Sequence, residues 1–182
     1  MGGLPAQYAD EVYHDIIHRS YPFHPELITV IYERWGAKPG FQLTRGTLRF
    51  LALVLQDLWA RRSESAPDLI KMGDVSVKRS GLRAGIKDII GDPQWESVLG
   101  SDIAAPAASE HQAKAEIIDV ERDDNRGLAQ ALATTILLYS IGGGEEPKAT
   151  RKEIRLSCAQ PDIKDATWDN LLEQFRRRFF CL

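Results

Sequence analysis

Cysteine is scarce in this sequence, and neither sign of charge dominates it. The 182 residues include two cysteines, Cys158 and Cys181, and carry a formal net charge of -3. A secreted disulfide framework of this size normally has more cysteines, so the sequence predicts a reducing, cytoplasmic location. Because the net charge is slightly negative, any surface for nucleic acid has to be a local patch.

Long hydrophobic runs are also lacking. The chain opens without the basic segment and short apolar run of a signal peptide. Its longest uncharged stretch, residues 127–144, contains Gln130, several hydroxyl residues and three closing glycines. That stretch is too short and too polar to cross a bilayer, so we predict a buried core helix there and no membrane partner.

The sequence has no phosphate-binding loop of the kind that NTP hydrolysis needs. No Gly-x-x-x-x-Gly-Lys-Ser/Thr occurs, and no predicted strand ends in paired acidic residues that hold magnesium. The triple glycine at 142–144 lacks the preceding strand and the following lysine, so it predicts a linker. We therefore expect no ATP hydrolysis by this chain alone.

Metal and nucleophile motifs are missing as well. Asp10, His14 and His18 recur every four residues on the first predicted helix, but zinc needs a third or fourth strong ligand and no matching partner is evident. A solvent-facing polar stripe is the prediction there, and no metal site. Neither cysteine lies in the sequence context of a catalytic nucleophile.

Helical periodicity is abundant and predicts a mainly α fold. With 43% hydrophobic residues, the chain is able to bury a core. Helices are predicted at about 5–19, 25–36, 44–62, 80–91, around Trp95, 109–120, 126–141, 150–160 and 165–178, with a loop at 101–108. Residues 74–78 predict a short strand. A final apolar strand at 179–182 ends abruptly, which predicts a chain cut from a larger protein.

Several helix starts have recognisable signals. Thr44, Ser80 and Asp165 are predicted N-caps, and Thr150 with Glu153 has the spacing of a capping box. Helix 44–62 is apolar nearly all round, which predicts a position at the centre of the core.

A narrow polar strip on helix 44–62 is not explained by packing. At about 100° per residue, Arg49 and Gln56 fall within about 40° of Arg45 on a helical wheel. Cations near a helix N-terminus are disfavoured by the helix dipole, so the arginines predict an anion or an acidic neighbour. Two interpretations stay open, a bound anion and an ion pair with an Asp or Glu of an adjacent helix.

Two stretches of the chain carry a family resemblance. Residues 21–36, Tyr-Pro-Phe-His-Pro-Glu-Leu-Ile-Thr-Val-Ile-Tyr-Glu-Arg-Trp-Gly, and residues 39–52, Pro-Gly-Phe-Gln-Leu-Thr-Arg-Gly-Thr-Leu-Arg-Phe-Leu-Ala, are similar to a signature of one bacterial and archaeal family. That family is catalogued as a domain of unknown function, and its members are large AAA+-like P-loop ATPases. The likeness is dense over 21–59 and continues more weakly beyond.

The resemblance implies that the chain lies downstream of a nucleotide-binding core, as a helical lid. AAA+ lids aim an arginine, called sensor 2, at the γ-phosphate from a Gly-x-x-Arg pattern at the start of a helix. Gly46-Thr47-Leu48-Arg49 matches that pattern. The resemblance therefore implies Arg49 as the sensor-2 residue, Arg45 as the second choice, and ATP and Mg bound by the intact protein.

The C-terminal third is predicted to contain a winged-helix-like module, a common companion of AAA+ lids. The expected division is a lid-like region at 1–141, a linker at 142–149, and a winged-helix-like part at 150–182 that helix 126–141 completes. Arg176 and Arg177 of the last helix are candidate DNA contacts. Acids on the same helix favour a solvated face instead, and arginines at a helix C-terminus also complement its dipole.

Together these features predict a non-catalytic fragment of a larger AAA+-type ATPase, with an upstream P-loop core as its partner. DNA and further subunits are additional candidate partners, and the resemblance points to gene neighbourhoods such as phage defence. The alternative is a stand-alone helical adaptor or DNA-binding regulator with no nucleotide role. The two differ at Arg49, which faces an open, anion-accepting surface in the first and is buried against a carboxylate in the second.

Overall fold

The computed structural model describes residues 10–63, 66–106, 108–123, 126–142, 149–158, 160 and 163–179. Within these ranges the chain is mainly helical, as predicted, and its only β pairing is an isolated bridge between Phe23 and Ile70. The α-helices are α1 Asp10–Ser20, α2 Pro25–Thr29, α3 Leu43–Ala60, α4 Ser80–Ile90, α5 Trp95–Val98, α6 Lys114–Glu121, α7 Leu128–Ser140, α8 Arg151–Cys158 and α9 Asp165–Arg178. Two of them continue as π-helical turns, α2 through Val30–Trp35 and α5 through Leu99–Ile103.

Trp35 lies where three elements of the core meet. Its side chain is fully buried at the end of the π-helical turn after α2. The indole Nε1 donates a hydrogen bond to the carbonyl of Leu138 in α7 at 3.0 Å. The ring meets Phe50 of α3 edge-on, with 4.9 Å between centroids, a favourable aromatic geometry. Trp35 therefore ties α3 and α7 to the segment that follows α2.

Buried side chains from both ends of the described chain belong to one hydrophobic cluster, which extends from Phe23 to Phe179. Polar contacts connect the same elements. The hydroxyl of Tyr139 in α7 donates to Glu26 Oε2 of α2 at 2.9 Å and lies 3.0 Å from Ser157 Oγ of α8. The helices α2, α7 and α8 therefore share both apolar and polar contacts.

Helix α3 does not lie at the centre of the core, contrary to the prediction. Its buried face is formed by Thr47, Phe50, Val54 and Leu58. The opposite side is open, with Leu48 65% exposed, Leu55 42% and Trp59 69%. The helix packs on α4 and on the π-helical turn after α2, which cover one side of it. An apolar helix is therefore half-exposed here.

The short strand predicted at 74–78 is also wrong. Met72–Asp74 forms a 3-10 turn instead. The backbone N–H of Lys71 donates to Asp74 Oδ2 at 2.8 Å, and that of Val75 donates to the Met72 carbonyl at 3.2 Å. These local bonds use backbone groups that a strand needs for pairing.

Helix boundaries agree with the predictions better than the N-caps do. Thr44, Ser80 and Asp165 lie inside their helices, and the residues at the cap positions, Gln42, Arg79 and Lys164, make no side-chain cap bond. The predicted capping box is confirmed. The N–H of Thr150 donates to Glu153 Oε2 at 2.6 Å, and the N–H of Glu153 donates to Thr150 Oγ1 at 3.3 Å.

Residues 101–113 differ from the prediction. Residues 101–103 belong to a π-helical turn and not to a loop, and α6 begins at Lys114 and not at about 109. The predicted start of the first helix at Pro5, the linker residues 143–148 and the apolar end at 180–182 lie outside the described residues. Helix α7 is buried as predicted, and no described helix is long and apolar enough to span a membrane.

Candidate functional site

An open groove of about 510 Å³ lies between the N-terminal half of α3, the C-terminal half of α4 and the loop 38–42. Both arginines of the predicted polar strip, Arg45 and Arg49, line it together with Lys38 and Asp88. Three cations thus share the lining with one carboxylate. That balance favours an anionic ligand.

The side chain of Arg49 is 70% exposed, and its Nη2 lies 3.4 Å from Oδ2 of Asp88, which is 64% exposed. This distance is long for a charge-assisted hydrogen bond, and an exposed pair of this kind contributes about 0–1 kcal/mol. The geometry combines features of both sequence interpretations. The surface around Arg49 is open, and an acidic residue of an adjacent helix lies near it without burying it.

Arg45 lies one turn before Arg49 and is exposed on the same side of α3. Within the part of the chain that the structure describes, it has no hydrogen-bond or ion-pair partner. Two like charges four residues apart on a helix repel each other. An anion placed between the two guanidinium groups would remove that repulsion and accept hydrogen bonds from both.

Gly46 allows an aromatic ring to lie directly on the α3 backbone. A Cβ atom at this position would come within 2.6 Å of Cε2 of Phe41. The Phe41 ring in turn meets Trp35 edge-on, with 6.0 Å between centroids. The loop before α3 turns at Gly40, whose φ of 83° favours glycine. Phe41, which lines the groove, therefore packs against a residue of the hydrophobic core.

No family model, curated protein or solved structure matches the chain. The ATPase family named above therefore remains a prediction that rests on the residue pattern at 21–59.

Sequence reasoning missed the other two charged residues of the groove, Lys38 and Asp88. An acidic neighbour was one of the open interpretations, but its identity depends on how α4 packs against α3, which periodicity does not reveal. Lys38 comes directly before Pro39-Gly40, in the turn that leads into α3. The sequence signal for Lys38 is its position, because it is a cation in the turn before a helix that already carries two arginines.

The candidate DNA-contacting residues lie elsewhere. Arg176 and Arg177 are exposed in the last turn of α9 and do not line the groove. On the same helix, Arg178 forms an ion pair with Glu121 at 2.7 Å, and Glu173 pairs with a basic residue of α8. The face of α9 therefore carries both signs of charge, and DNA contact stays a prediction.

The remaining polar candidates show no catalytic arrangement in the described residues. His14 and His18 are exposed on α1 and border a shallow depression with Tyr21, while the side chain of Asp10 lies outside the described residues. No described group of three or more His, Cys, Asp or Glu residues is placed to hold a metal. Cys158 is buried, and burial raises the pKa of its thiol to about 12, so it stays protonated.

Proposed function

We propose that this chain is a helical lid of a larger AAA+-type ATPase, and that Arg49 and Arg45 contact the phosphates of a nucleotide. The nucleotide lies between this chain and an upstream P-loop core. The observation that supports the proposal is the groove, where both arginines line the same open surface with Lys38. Its volume of about 510 Å³ is within the range of small-molecule sites.

The chemistry of the groove fits the phosphates of ATP. A guanidinium group stays charged at physiological pH and donates in a planar fork that matches phosphate oxygens. Asp88 is the only carboxylate among the described residues that line the groove, so the groove offers little to a magnesium ion. The magnesium and the phosphate loop then belong to the upstream core, and ATP bound there supplies the phosphoryl group for hydrolysis.

Asp88 gives Arg49 a second position. Without nucleotide, Arg49 stays beside Asp88 at 3.4 Å, in a weak and exposed pair. A γ-phosphate carries more charge and more acceptor oxygens than one carboxylate. The guanidinium of Arg49 therefore leaves Asp88 and binds the phosphate. Arg49 thereby reports whether the γ-phosphate is present, and the lid moves with it.

The C-terminal helices have a role in the same proposal. The order α7, α8, α9 suits a winged-helix-like module, with α9 in the position of a recognition helix. Movement of the lid is then transmitted to a partner through this module. Arg176 and Arg177, exposed at the end of α9, are the residues through which DNA is contacted if it is that partner.

The test is ATP hydrolysis by the full reading frame that contains this segment, comparing wild type with Arg49→Ala. We expect turnover to fall at least about 10-fold while nucleotide affinity changes much less, because the contact is strongest in the transition state. Asp88→Asn should tighten nucleotide binding slightly, since it removes a negative charge from the lining of the groove. Arg62→Ala is the matched control, because Arg62 is an exposed arginine outside the groove.

Unchanged turnover in Arg49→Ala, or an intact protein without ATPase activity, would overturn the proposal. The stand-alone helical adaptor then becomes the better explanation. Its support is the exposed apolar side of α3, where Leu48 and Trp59 are 65% and 69% exposed.

A further inference from the structure

Four apolar residues form a continuous exposed line along α3, which we name the α3 stripe: Leu48, Ala52, Leu55 and Trp59. Their spacing of four, three and four residues is that of a helix seam, in which apolar positions repeat every seven residues. At about 100° per residue they occupy an arc about 60° wide. The stripe borders the arc of Arg45 and Arg49 but does not line the groove.

The described residues leave the α3 stripe open to solvent. Leu48 is 65% exposed, Leu55 42% and Trp59 69%. Single exposed apolar side chains are ordinary, but three large ones in a line have the spacing that helix-binding surfaces show. Arg62 contacts Trp59 twice. Its Cζ lies 4.5 Å from the centroid of the Trp59 ring, and its Nη1 donates to the Trp59 carbonyl at 2.7 Å.

Among the described residues, an exposed arginine lies at each end of the α3 stripe. Arg45 lies before its first residue and Arg62 after its last, about 26 Å apart at 1.5 Å per residue. The only carboxylate within α3, Asp57, is 9% exposed and is bound by Arg61 Nε at 2.9 Å and Arg79 Nε at 3.4 Å. It does not offset the exposed arginines, so over the described residues the surface is apolar in the middle and has an arginine at each end.

We propose that the α3 stripe docks an amphipathic helix of a partner protein, whose apolar face has glutamate or aspartate at both ends. Carboxylates at both ends meet Arg62 and, when no nucleotide engages it, Arg45, whichever way the partner helix runs. Two copies of this chain would bring arginines together in either direction, Arg45 against Arg45 in a parallel pair and Arg45 against Arg62 in an antiparallel pair. The charges therefore select an acidic partner over a second copy.

The experiment is selection of displayed helices on the full 182-residue chain. The library consists of helices of about 18 residues, long enough to span the stripe. It has a fixed leucine face at seam spacing, and the positions at both ends of that face are drawn equally from Glu, Lys and Gln. We expect the bound helices to be enriched in Glu at both ends. Their affinity should fall as salt is raised, because the end contacts are exposed.

Two substitutions and one control locate the binding. Trp59→Ala should weaken a selected helix at least about 10-fold, since large aromatic side chains carry much of the affinity at such surfaces. Arg62→Glu should weaken it about as much, and this residue does not line the groove. Tyr32→Ala is the matched control, because Tyr32 is 55% exposed and lies outside the stripe. The affinity of this variant for the selected helix should stay within about twofold of the wild-type value.

Lys-ended helices, no enrichment, or an equal loss of affinity in Tyr32→Ala would each overturn the proposal. A concentration-dependent dimer that Trp59→Ala abolishes would assign the α3 stripe to a second copy of the chain. Nucleotide binding by the intact protein should be unchanged in Trp59→Ala. Failure at this surface is thereby distinguished from failure of the nucleotide contact at Arg49.

Discussion

Arg49 and Asp88 show how far residue-level reasoning reaches. The polar strip on α3 was predictable because Arg45 and Arg49 are one helical turn apart, and the structure places both in one groove. The carboxylate that faces them was not predictable as a particular residue, since 39 positions separate it from Arg49. Helical spacing identifies which side chains share a face, and tertiary packing decides what that face meets.

His24 is a buried residue whose protonation is linked to folding. It is 5% exposed, its Nδ1 accepts the N–H of Glu26 at 3.2 Å, and its Nε2 lies 3.2 Å from the hydroxyl of Tyr13. Burial, with a smaller contribution from the nearby Lys71 ammonium, lowers the pKa of His24 to about 4. The folded protein therefore keeps this imidazole neutral at pH values where the unfolded chain protonates it.

We predict that His24 makes the free energy of unfolding fall as pH drops from 6.5 to about 4. The unfolded state binds more protons in that window, so the contribution is complete above 6.5 and levels off below about 4. A shift of this size corresponds to a loss of about 3 kcal/mol. His24→Asn retains an acceptor for the N–H of Glu26 without titrating. Urea unfolding of both proteins from pH 4 to 7.5 measures the difference, and equal pH slopes would contradict it.

At the scale of helices, the buried face was predicted correctly where the apolar residues of a helix lie on one side only. Helix α9 buries Trp168, Leu171 and Phe175, as the spacing of its apolar residues predicted. Prediction failed for the position of α3, because a helix that is apolar nearly all round does not show which side its neighbours cover. It also failed for 74–78, where the Asp74 carboxylate accepts a backbone N–H and closes a turn.

Helix α7 has no N-cap side chain of its own, because the cap position is Gly127 at a φ of 65°. Asp119 of α6 takes over that function. Its carboxylate accepts the N–H of Ala129 at 2.7 Å and that of Gln130 at 3.1 Å, in a buried position. One side chain from a neighbouring helix thus satisfies two N–H groups that a helix start leaves without partners.

We predict that Asp119→Asn lowers the free energy of unfolding by about 1–2 kcal/mol, because an amide keeps one acceptor oxygen and loses the charge. Urea denaturation measures the loss. Asp123→Asn is the matched control, since Asp123 is exposed and its φ of 52° is one that asparagine tolerates. An equal effect of the two substitutions would mean that Asp119 does not cap α7.

For the whole molecule, the central question is whether the C-terminal helices unfold with the rest of the chain. The sequence predicted a winged-helix-like part at 150–182 that helix 126–141 completes, and helical periodicity carries no information on which helices share a core. In the structure, Ile154 of α8 is 7% exposed and belongs to the same hydrophobic cluster as Trp35. The hydroxyl of Tyr139 in α7, which lies 3.0 Å from Ser157 of α8, also donates to Glu26 of α2 at 2.9 Å. These contacts favour a single cooperative unit over the described residues.

We predict that Ile154→Ala lowers the free energy of unfolding by about 2–4 kcal/mol and that the loss is felt throughout the core. Hydrogen exchange checks this, because amides that exchange only through global opening lose the same free energy wherever they lie. The amides of α7 and of Trp35 should therefore lose as much protection as those of α8. Lys152→Ala, an exposed change on the same helix, should leave all of them nearly unchanged. If protection around Trp35 stays intact while that of α7 and α8 collapses, the C-terminal part that the sequence predicts unfolds on its own.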